Sequence, residues 1–358
     1  MPRGPSLRSL GILAATAALM LSGVSAAAAH GPGDVYKKRN LVSDIDGVAR
    51  ITDPNLVNPW GLSASPTSPL WVADNGTDKS TLYTGGVRRS VPMIVPLVVD
   101  ITGGAPTGTV YNPTSGFPVN GAPARFIFDS EAGTITAWNP GTGTTAQTVV
   151  PNTTGAIYKG LALAGTGKDA LLYAADFHNA KIDVFDTSFA PVTAPGGFVD
   201  PNLPKGFAPF NVQELAGRIV VAYAKQDADA EDEVAGDGLG YVDVFDTSGH
   251  LLHRLISQGK LNAPWGLVLA PRHFGQFSND LLVGNFGDGA INAYDPRTGQ
   301  LDGTLTNKDG NPIKINGLWA LRFGNGVFGT PTTLIFSAGI ADEDHGLLGE
   351  IVVKGSGD

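Results

Sequence analysis

One short block occurs twice in this chain, far apart in the sequence. Residues 57–66 read VNPWGLSASP, and residues 262–271 read NAPWGLVLAP. Related blocks centred on Val110, Leu161, Val212 and Leu321 bring the number of copies to six, at spacings of 48, 51, 51, 55 and 54 positions. A regular period of this length is typical of repeat proteins, in which each repeat packs against its neighbours.

Each block is followed by two further apolar segments that end in turn residues. The first of these reads LWVADNG in the first repeat and LLVGNFG in the fifth, and the second reads STLYTGG and INAYDPRTG. Apolar segments closed by Asp, Asn and Gly indicate antiparallel strands joined by hairpins. With fourth strands such as LLHRLIS at residues 251–257, these cycles predict an all-β fold, a six-bladed β-propeller.

The last repeat has no fourth strand of its own, because the chain ends soon after Lys354. The segment RNLVSDIDG at residues 39–47 precedes the first repeat and could supply that strand. An N-terminal strand that joins the last blade would close the ring and remove an unpaired edge. We therefore predict one propeller domain over residues 38–358, after a flexible lead-in at residues 30–37. Two packed β-sandwiches are the alternative architecture.

Residues 1–29 have the pattern of a signal peptide. Arg3 and Arg8 precede an apolar stretch at residues 10–21 that is too short to span a bilayer, and small residues follow it. A retained membrane anchor is the alternative. We predict a secreted protein, extracellular or in the periplasm or cell envelope, with no membrane span. The chain has no cysteine, so its fold must hold without disulfides in an oxidising compartment.

The charge of the chain bears on its partners. The formal net charge is −9, and cleavage after residue 29 would take it to −11, because both leader arginines would be lost. An acidic surface repels nucleic acid, so we predict that the protein binds none. We also predict that it is a monomer.

In an up-and-down blade, the loops before the first strand and after the second strand emerge on the same side. These loops are rich in polar and aromatic residues, so they form the predicted ligand-binding face. The predicted ligand-binding residues are Asn58, Trp60, Asp74, Asn75, Lys159, Asn211, Trp265, Asn285, Trp319 and His345. The three tryptophans could stack on a flat ligand such as a sugar ring, or they could pack between blades.

Acidic residues crowd the same face. Flexible loops rich in oxygen ligands suit calcium, so we predict a site for Ca²⁺ or another divalent cation. Its predicted ligands are Glu214, Asp288, Asp227 and Asp229. The DADAED run begins like an EF-hand loop but lacks the required glycine, and a solvated acidic loop is the alternative. His178 and His345 could be metal ligands, proton carriers or ordinary surface residues.

The sequence contains none of the common catalytic motifs, such as Gly-x-Ser-x-Gly, His-Glu-x-x-His or a phosphate-binding glycine loop. Blocks such as NPWGL, WVADNGT, YKGLAL, GLGYVDVFDTSG and DEDHGLLGEI resemble an uncharacterised family of secreted bacterial six-bladed β-propellers. The resemblance covers nearly all of the chain after the leader and implies fold and export, but no activity.

The blades are also distantly similar to NHL-repeat and gluconolactonase-type propellers. Those lactonases hold a divalent cation through Glu and Asn or Asp side chains from several blades. The resemblance implies that Asp74, Asn211, Glu214 and Asn285 are oxygen donors in comparable places.

Three functions are compatible with these patterns, and the sequence leaves open whether the protein is an enzyme. The first is binding of a small molecule, a glycan or a protein partner at the channel mouth on the acidic face. The second is a hydrolase or lyase that depends on a divalent metal and acts on a lactone, an ester or a polysaccharide. The third is a structural role in the cell envelope.

Overall fold

The structure, a computed structural model, describes residues 35–87 and 90–354. These residues belong to the compact unit Asp34–Asp358. The predicted signal peptide at residues 1–29 lies outside the described residues, as does most of the predicted lead-in. Within the described ranges the chain forms strands, turns and short 3₁₀ segments, so the all-β prediction is confirmed.

The strands follow one another in six groups along the chain. The first group is preceded by β1 (Tyr36–Ser43) and β2 (Ile51–Thr52) and contains β3 (Pro59–Ser63), β4 (Leu70–Asp74), β5 (Lys79–Thr84), β6 (Met93–Ile94) and β7 (Val99–Ile101). The second contains β8 (Pro106–Tyr111), β9 (Pro118–Val119), β10 (Ala122–Pro123), β11 (Phe126–Ser130), β12 (Ile135–Trp138) and β13 (Thr145–Val150). The third contains β14 (Tyr158–Ala164), β15 (Leu171–Asp176) and β16 (Lys181–Phe185).

The remaining groups repeat this plan. The fourth contains β17 (Phe207–Leu215), β18 (Arg218–Gln226), β19 (Glu233–Val234), β20 (Tyr241–Phe245) and β21 (Leu251–Ser257). The fifth contains β22 (Pro264–Leu269), β23 (Leu281–Asn285), β24 (Ile291–Tyr294) and β25 (Leu301–Thr304), and the sixth contains β26 (Leu318–Phe323), β27 (Leu334–Ile340) and β28 (His345–Val353). Short 3₁₀ segments occur at Asn75–Thr77, Pro140–Thr142, Gly167–Asp169 and Gly275–Phe277.

Within each group the main strands pair antiparallel in chain order, from an innermost to an outer strand. The innermost strands β3, β8, β14, β17, β22 and β26 contact one another in that order, and β26 also contacts β3. Sheets arranged in this way around their first strands form a propeller. The propeller arrangement predicted from the repeats is therefore confirmed, and it does not fit two packed sandwiches.

The N-terminal strand β1 pairs antiparallel with the C-terminal strand β28, from Tyr36 opposite Val353 to Ser43 opposite Leu347. The sequence placed this strand at residues 39–47, but it begins three residues earlier, so Tyr36 and Lys37 belong to a strand rather than to a flexible lead-in. The reason is burial: Tyr36 packs among Phe274 and Phe277, and its hydroxyl donates to the carbonyl of Phe274.

The glycine of the PWGL block has a packing role. A Cβ atom on Gly61 would lie 2.5 Å from the carbonyl oxygen of Thr107, in the next innermost strand, and one on Gly266 would lie 2.8 Å from the carbonyl oxygen of Trp319. Real side chains do not approach a backbone so closely, so only glycine allows these strands to pack side by side. The repeated block thus marks the contacts between neighbouring innermost strands.

Candidate functional site

The N-terminal ends of the innermost strands and the turns after the second strands of the sheets lie on one side of the molecule, which we call the loop face. Asn58 precedes β3, and Lys159 is the second residue of β14. Asn75 and Glu131 follow the second strands of their sheets, and Glu343 lies in the turn between β27 and β28. The fold therefore brings residues from different repeats to the same face.

The centre of this region is filled by tryptophans. Trp60, Trp265 and Trp319 are 2%, 2% and 0% exposed. The rings of Trp60 and Trp319 stack with their centroids 3.4 Å apart, and Trp265 meets both edge-on at about 6 Å. None of the three presents a free ring face, so stacking of a ligand on them, one of the two possibilities left open by the sequence, is not available in this structure. They pack between repeats.

The tryptophans also position polar groups of the loop face. The Trp265 indole N–H donates to the backbone carbonyl of Lys159 at 2.8 Å, and the Trp319 indole N–H donates to Asn58 Oδ1 at 3.0 Å. The Trp60 indole nitrogen is buried and has no hydrogen-bond partner among the described residues. A buried donor without a partner is costly, so this N–H is an unsatisfied group within the aromatic layer.

Lys159 lies above this aromatic layer and its side chain is 1% exposed. Its Nζ atom lies 2.5 Å from Glu131 Oε1 and 3.1 Å from Asp232 Oδ1, and it stands 5.4 Å from the centroid of the Trp60 ring. Burial alone would lower the pKa of Lys159, but the carboxylates, Glu131 first, hold that pKa above its ordinary value. The ammonium group is therefore charged and paired with two carboxylates.

More carboxylates surround this lysine than it can neutralise. Glu131, Asp232, Glu233 and Glu343, which we call the carboxylate cluster, interact electrostatically with it or with one another. Burial, with repulsion from Glu343 and Asp232, raises the pKa of Glu233 to about 8. Burial, with repulsion from Glu131 and Asp232, raises the pKa of Glu343. The cluster is thus short of positive charge.

Two asparagines connect the cluster across repeats. Asn58 Nδ2 donates to Glu343 Oε2 at 2.7 Å and to Asn75 Oδ1 at 3.3 Å. Asn75 Nδ2 in turn donates to Glu131 Oε2 at 2.8 Å. These bonds fix the positions of two carboxylates, as a preorganised binding site requires.

The loop that carries Glu343 has an unusual backbone. Ala341, Asp342 and Glu343 have successive φ values of +55°, +54° and +68°, in the left-handed region that favours glycine. Such conformations cost free energy and cluster at functional sites. They place Glu343 against Asn58.

Three predicted ligand-binding residues are interior rather than on the loop face. Asp74 is buried, and its Oδ2 accepts the Thr81 N–H, while burial raises its pKa well above the usual range. The amide of Asn211 donates to the Trp265 carbonyl, and that of Asn285 donates to the Lys260 carbonyl. These side chains hold strands and turns together because each satisfies buried backbone groups.

His345 contacts a residue outside the carboxylate cluster. Its Nδ1 atom lies 2.6 Å from Asp44 Oδ2, a residue that follows β1. The other loop histidine, His178, has its Nδ1 atom 3.2 Å from the carbonyl of Ala230. The two histidines therefore have unrelated partners.

The four predicted metal ligands do not converge. Glu214 lies near the hairpin between β17 and β18, at the opposite end of an innermost strand, where it accepts the Gly217 N–H. Asp227 accepts the N–H of Glu231 within its own loop, and Asp288 accepts from Asn285. In the part of the chain that the structure describes, no group of three or more His, Cys, Asp or Glu side chains could hold a metal ion.

Of the predicted ligand-binding residues, the structure brings together Asn58, Asn75 and Lys159, and it adds the carboxylate cluster. The sequence did not single out Glu131 as a site residue. A signal existed, because Glu131 follows β11 just as Asn75 follows β4. Equivalent positions of a repeat reach the same face.

Comparisons with known proteins give a family without an assigned activity. No protein-family model matches the chain. The chain is 33% identical over 329 residues to the uncharacterised protein R648 of Acanthamoeba polyphaga mimivirus, covering 88% of this chain and 80% of that protein. It is 32% identical over 333 residues to the uncharacterised protein L690 of the same virus, covering 88% and 86%.

Solved structures support the propeller fold. The chain is similar to an α-L-arabinofuranosidase of Fusarium graminearum, with a TM-score of 0.56 at 11% identity, over 89% of this chain and 98% of that one. It is also similar to the soluble aldose sugar dehydrogenase of Escherichia coli, with a TM-score of 0.53 at 12% identity, over 89% and 100%. At these identities the likeness shows the fold alone. By its sequence, the chain belongs to the same family as the uncharacterised mimivirus proteins R648 and L690.

Proposed function

We propose that this protein is an exported, ligand-binding propeller of six blades. Six cycles of innermost strand and hairpin, and the pairing of β1 with β28, support a count of six and closure through a sheet that contains both ends of the domain. The leader pattern at residues 1–29 supports export. Among the described residues, no helix is long and apolar enough to cross a bilayer.

We propose further that the carboxylate cluster binds a cationic ligand at the loop face. One observation supports this most strongly: four carboxyl groups surround Lys159, and the pKa of Glu233 is raised to about 8. A cation that binds near carboxylates that repel one another lowers their electrostatic free energy, and more so where they are partly buried.

The expected ligand carries an amine on a polar scaffold. An ammonium group can donate to the carboxylates of the cluster, and a neutral hydroxyl can accept the second N–H of the Asn75 amide, whose first N–H is donated to Glu131. Aromatic stacking does not contribute, because the central tryptophans are buried. An amino sugar oligomer or a polyamine has this chemistry.

Calorimetry with two matched oligosaccharides would test the proposal. We expect a glucosamine oligomer, which is cationic, to bind at least about tenfold more tightly than the neutral N-acetylglucosamine oligomer, since a charge-assisted hydrogen bond is worth about 1.5–3 kcal/mol. Glu343→Gln and Asp232→Asn should each weaken the binding. Asp302→Asn removes one exposed carboxylate from the outer strand β25 and should leave it unchanged. Equal affinity for the two oligomers, or for all variants, would contradict the proposal.

Calcium binding stays a prediction from the sequence. Metal analysis of the purified protein, with thermal unfolding measured with and without a chelator, would test it, because a bound ion raises the melting temperature. The alternative of a metal-dependent hydrolase or lyase is favoured by no specific observation, since Glu214, Asp288, Asp227 and Asp229 lie in separate places. The structural role in the cell envelope also stays a prediction.

A further inference from the structure

A second opening lies at the other ends of the innermost strands. Two adjoining cavities, of about 170 Å³ and 470 Å³, share Leu62, Thr109, Gln213, Glu214 and Arg322 as lining residues. These residues come from the C-terminal halves of β3, β8, β17 and β26, whereas the carboxylate cluster lies at the N-terminal ends. The larger cavity alone is of the size that holds a small-molecule ligand.

Arg322 is the positive charge of this opening. Its Nη2 atom donates to the carbonyl of Ala64 at 3.0 Å, and it forms no ion pair with any carboxylate among the described residues. Burial lowers the pKa of Arg322, with no neighbouring charge contributing to the shift. A guanidinium group has five N–H donors, and a largely buried one is normally paired with an anion. This one retains donors for a ligand.

Two neutral groups beside it are also unused. Thr109 is 7% exposed as a residue, and its buried hydroxyl has no hydrogen-bond partner among the described residues. The Gln213 side-chain amide lines both cavities and makes no hydrogen bond within the described part of the chain. A hydroxyl and an amide can each donate to or accept from a polyhydroxylated ligand.

A ligand with one negative charge fits this opening better than a ligand with two. Arg322 is the only cationic side chain among the described residues that line the two cavities, and Glu214 lies at the same opening. The whole chain carries a formal net charge of −9. A dianion such as phosphate would be repelled more strongly than a carboxylate by the same surroundings.

We propose that this opening is a second binding site, distinct from the loop face, that takes a small polyhydroxylated carboxylic acid. Its carboxylate pairs with Arg322, and its hydroxyls bond to Thr109 and Gln213. An arginine fork matches the two oxygens of a carboxylate, which gives the site its selectivity for acids over neutral sugars.

Titration of the full-length protein with glucuronate, glucose and inorganic phosphate would test this site. We expect glucuronate to bind at least about tenfold more tightly than glucose, since the difference is one charge-assisted pair. Arg322→Gln should abolish the preference. Arg297→Gln, which removes an arginine whose side chain is 87% exposed, should keep it.

A second variant tests the site in case Arg322→Gln fails to fold. Thr109→Val is nearly isosteric and should weaken glucuronate binding by about threefold to tenfold, as the loss of one hydrogen bond predicts. Equal affinity for glucuronate and glucose in the unaltered protein would overturn the proposal without any variant. Phosphate binding as tight as glucuronate binding would overturn the assignment to a carboxylate.

Discussion

The aromatic residues at the centre of the molecule show why the role of a single repeated residue is difficult to predict from the sequence. Trp60, Trp265 and Trp319 recur at the same position of three repeats, and this recurrence does not distinguish stacking on a ligand from packing. The structure resolves the question through burial, because the rings fill the space where the innermost strands meet. The rings are buried by residues from five repeats, which no local pattern contains.

Truncation of a buried tryptophan should therefore affect stability more than binding. We expect Trp319→Ala to lower the free energy of unfolding by about 3–5 kcal/mol, through lost contacts with Trp60 and Phe286 and the cavity left behind. Urea denaturation would measure it. Leu252→Ala, at an exposed position, serves as the control and should change stability by less than about 0.5 kcal/mol. A loss of under about 1 kcal/mol for the tryptophan variant would refute the packing role.

The raised pKa of Glu233 predicts a pH dependence of stability. Its ordinary pKa is 4.5 and its folded pKa is about 8, so the folded state holds a proton that the unfolded state releases between these values. The contribution of this group to stability is therefore present at low pH and is lost as the pH rises toward 8.

Replacement of this carboxyl group by an amide removes that titration. Glu233→Gln should be more stable than the unaltered protein at pH 9 and should show a smaller fall in stability between pH 5 and pH 9. Thermal or urea unfolding at several pH values would check it. Parallel curves for the two proteins would show that Glu233 titrates at its ordinary pKa.

Strands were easier to predict than the site they carry. The segment at residues 251–257 was predicted as a fourth strand and is β21, because alternation and turn residues are local properties of a sequence. The start of β1 was misplaced, since Tyr36 is fixed by Phe274 and Phe277, more than two hundred positions away. Glu131 was not singled out for a similar reason: its importance comes from Lys159 and Asn75 in other repeats.

Substitution of a glycine in an innermost strand should destabilise the contact between neighbouring strands. Gly61→Ala places a Cβ against the Thr107 carbonyl oxygen, so β3 and β8 must move apart, and we expect a loss of about 1–3 kcal/mol. Gly236→Ala, in the loop between β19 and β20, meets only the end of the half-buried Leu239 side chain and should cost less. Chemical denaturation of both variants would compare them, and an equal loss in the two would argue against tight approach of the innermost strands.

For the whole molecule, the pairing of β1 with β28 joins the first and last parts of the domain. The closed ring that we propose should unfold as a single cooperative unit, because opening one sheet exposes the faces of its neighbours. We expect the unfolding curves from tryptophan fluorescence and from far-ultraviolet circular dichroism to coincide. Two separated transitions would contradict closure.

We propose that the carboxylate cluster around Lys159 binds a cation, and one titration tests this most directly. Calorimetric titration with an aliphatic polyamine, whose amines stay charged at pH 7, repeated in buffers of different ionisation enthalpy, measures the protons exchanged on binding. With its pKa near 8, Glu233 holds a proton at this pH that an arriving cation should displace. We predict release of about one proton per bound ligand, lost in Glu233→Gln. Binding without proton release, or no binding, would contradict the claim.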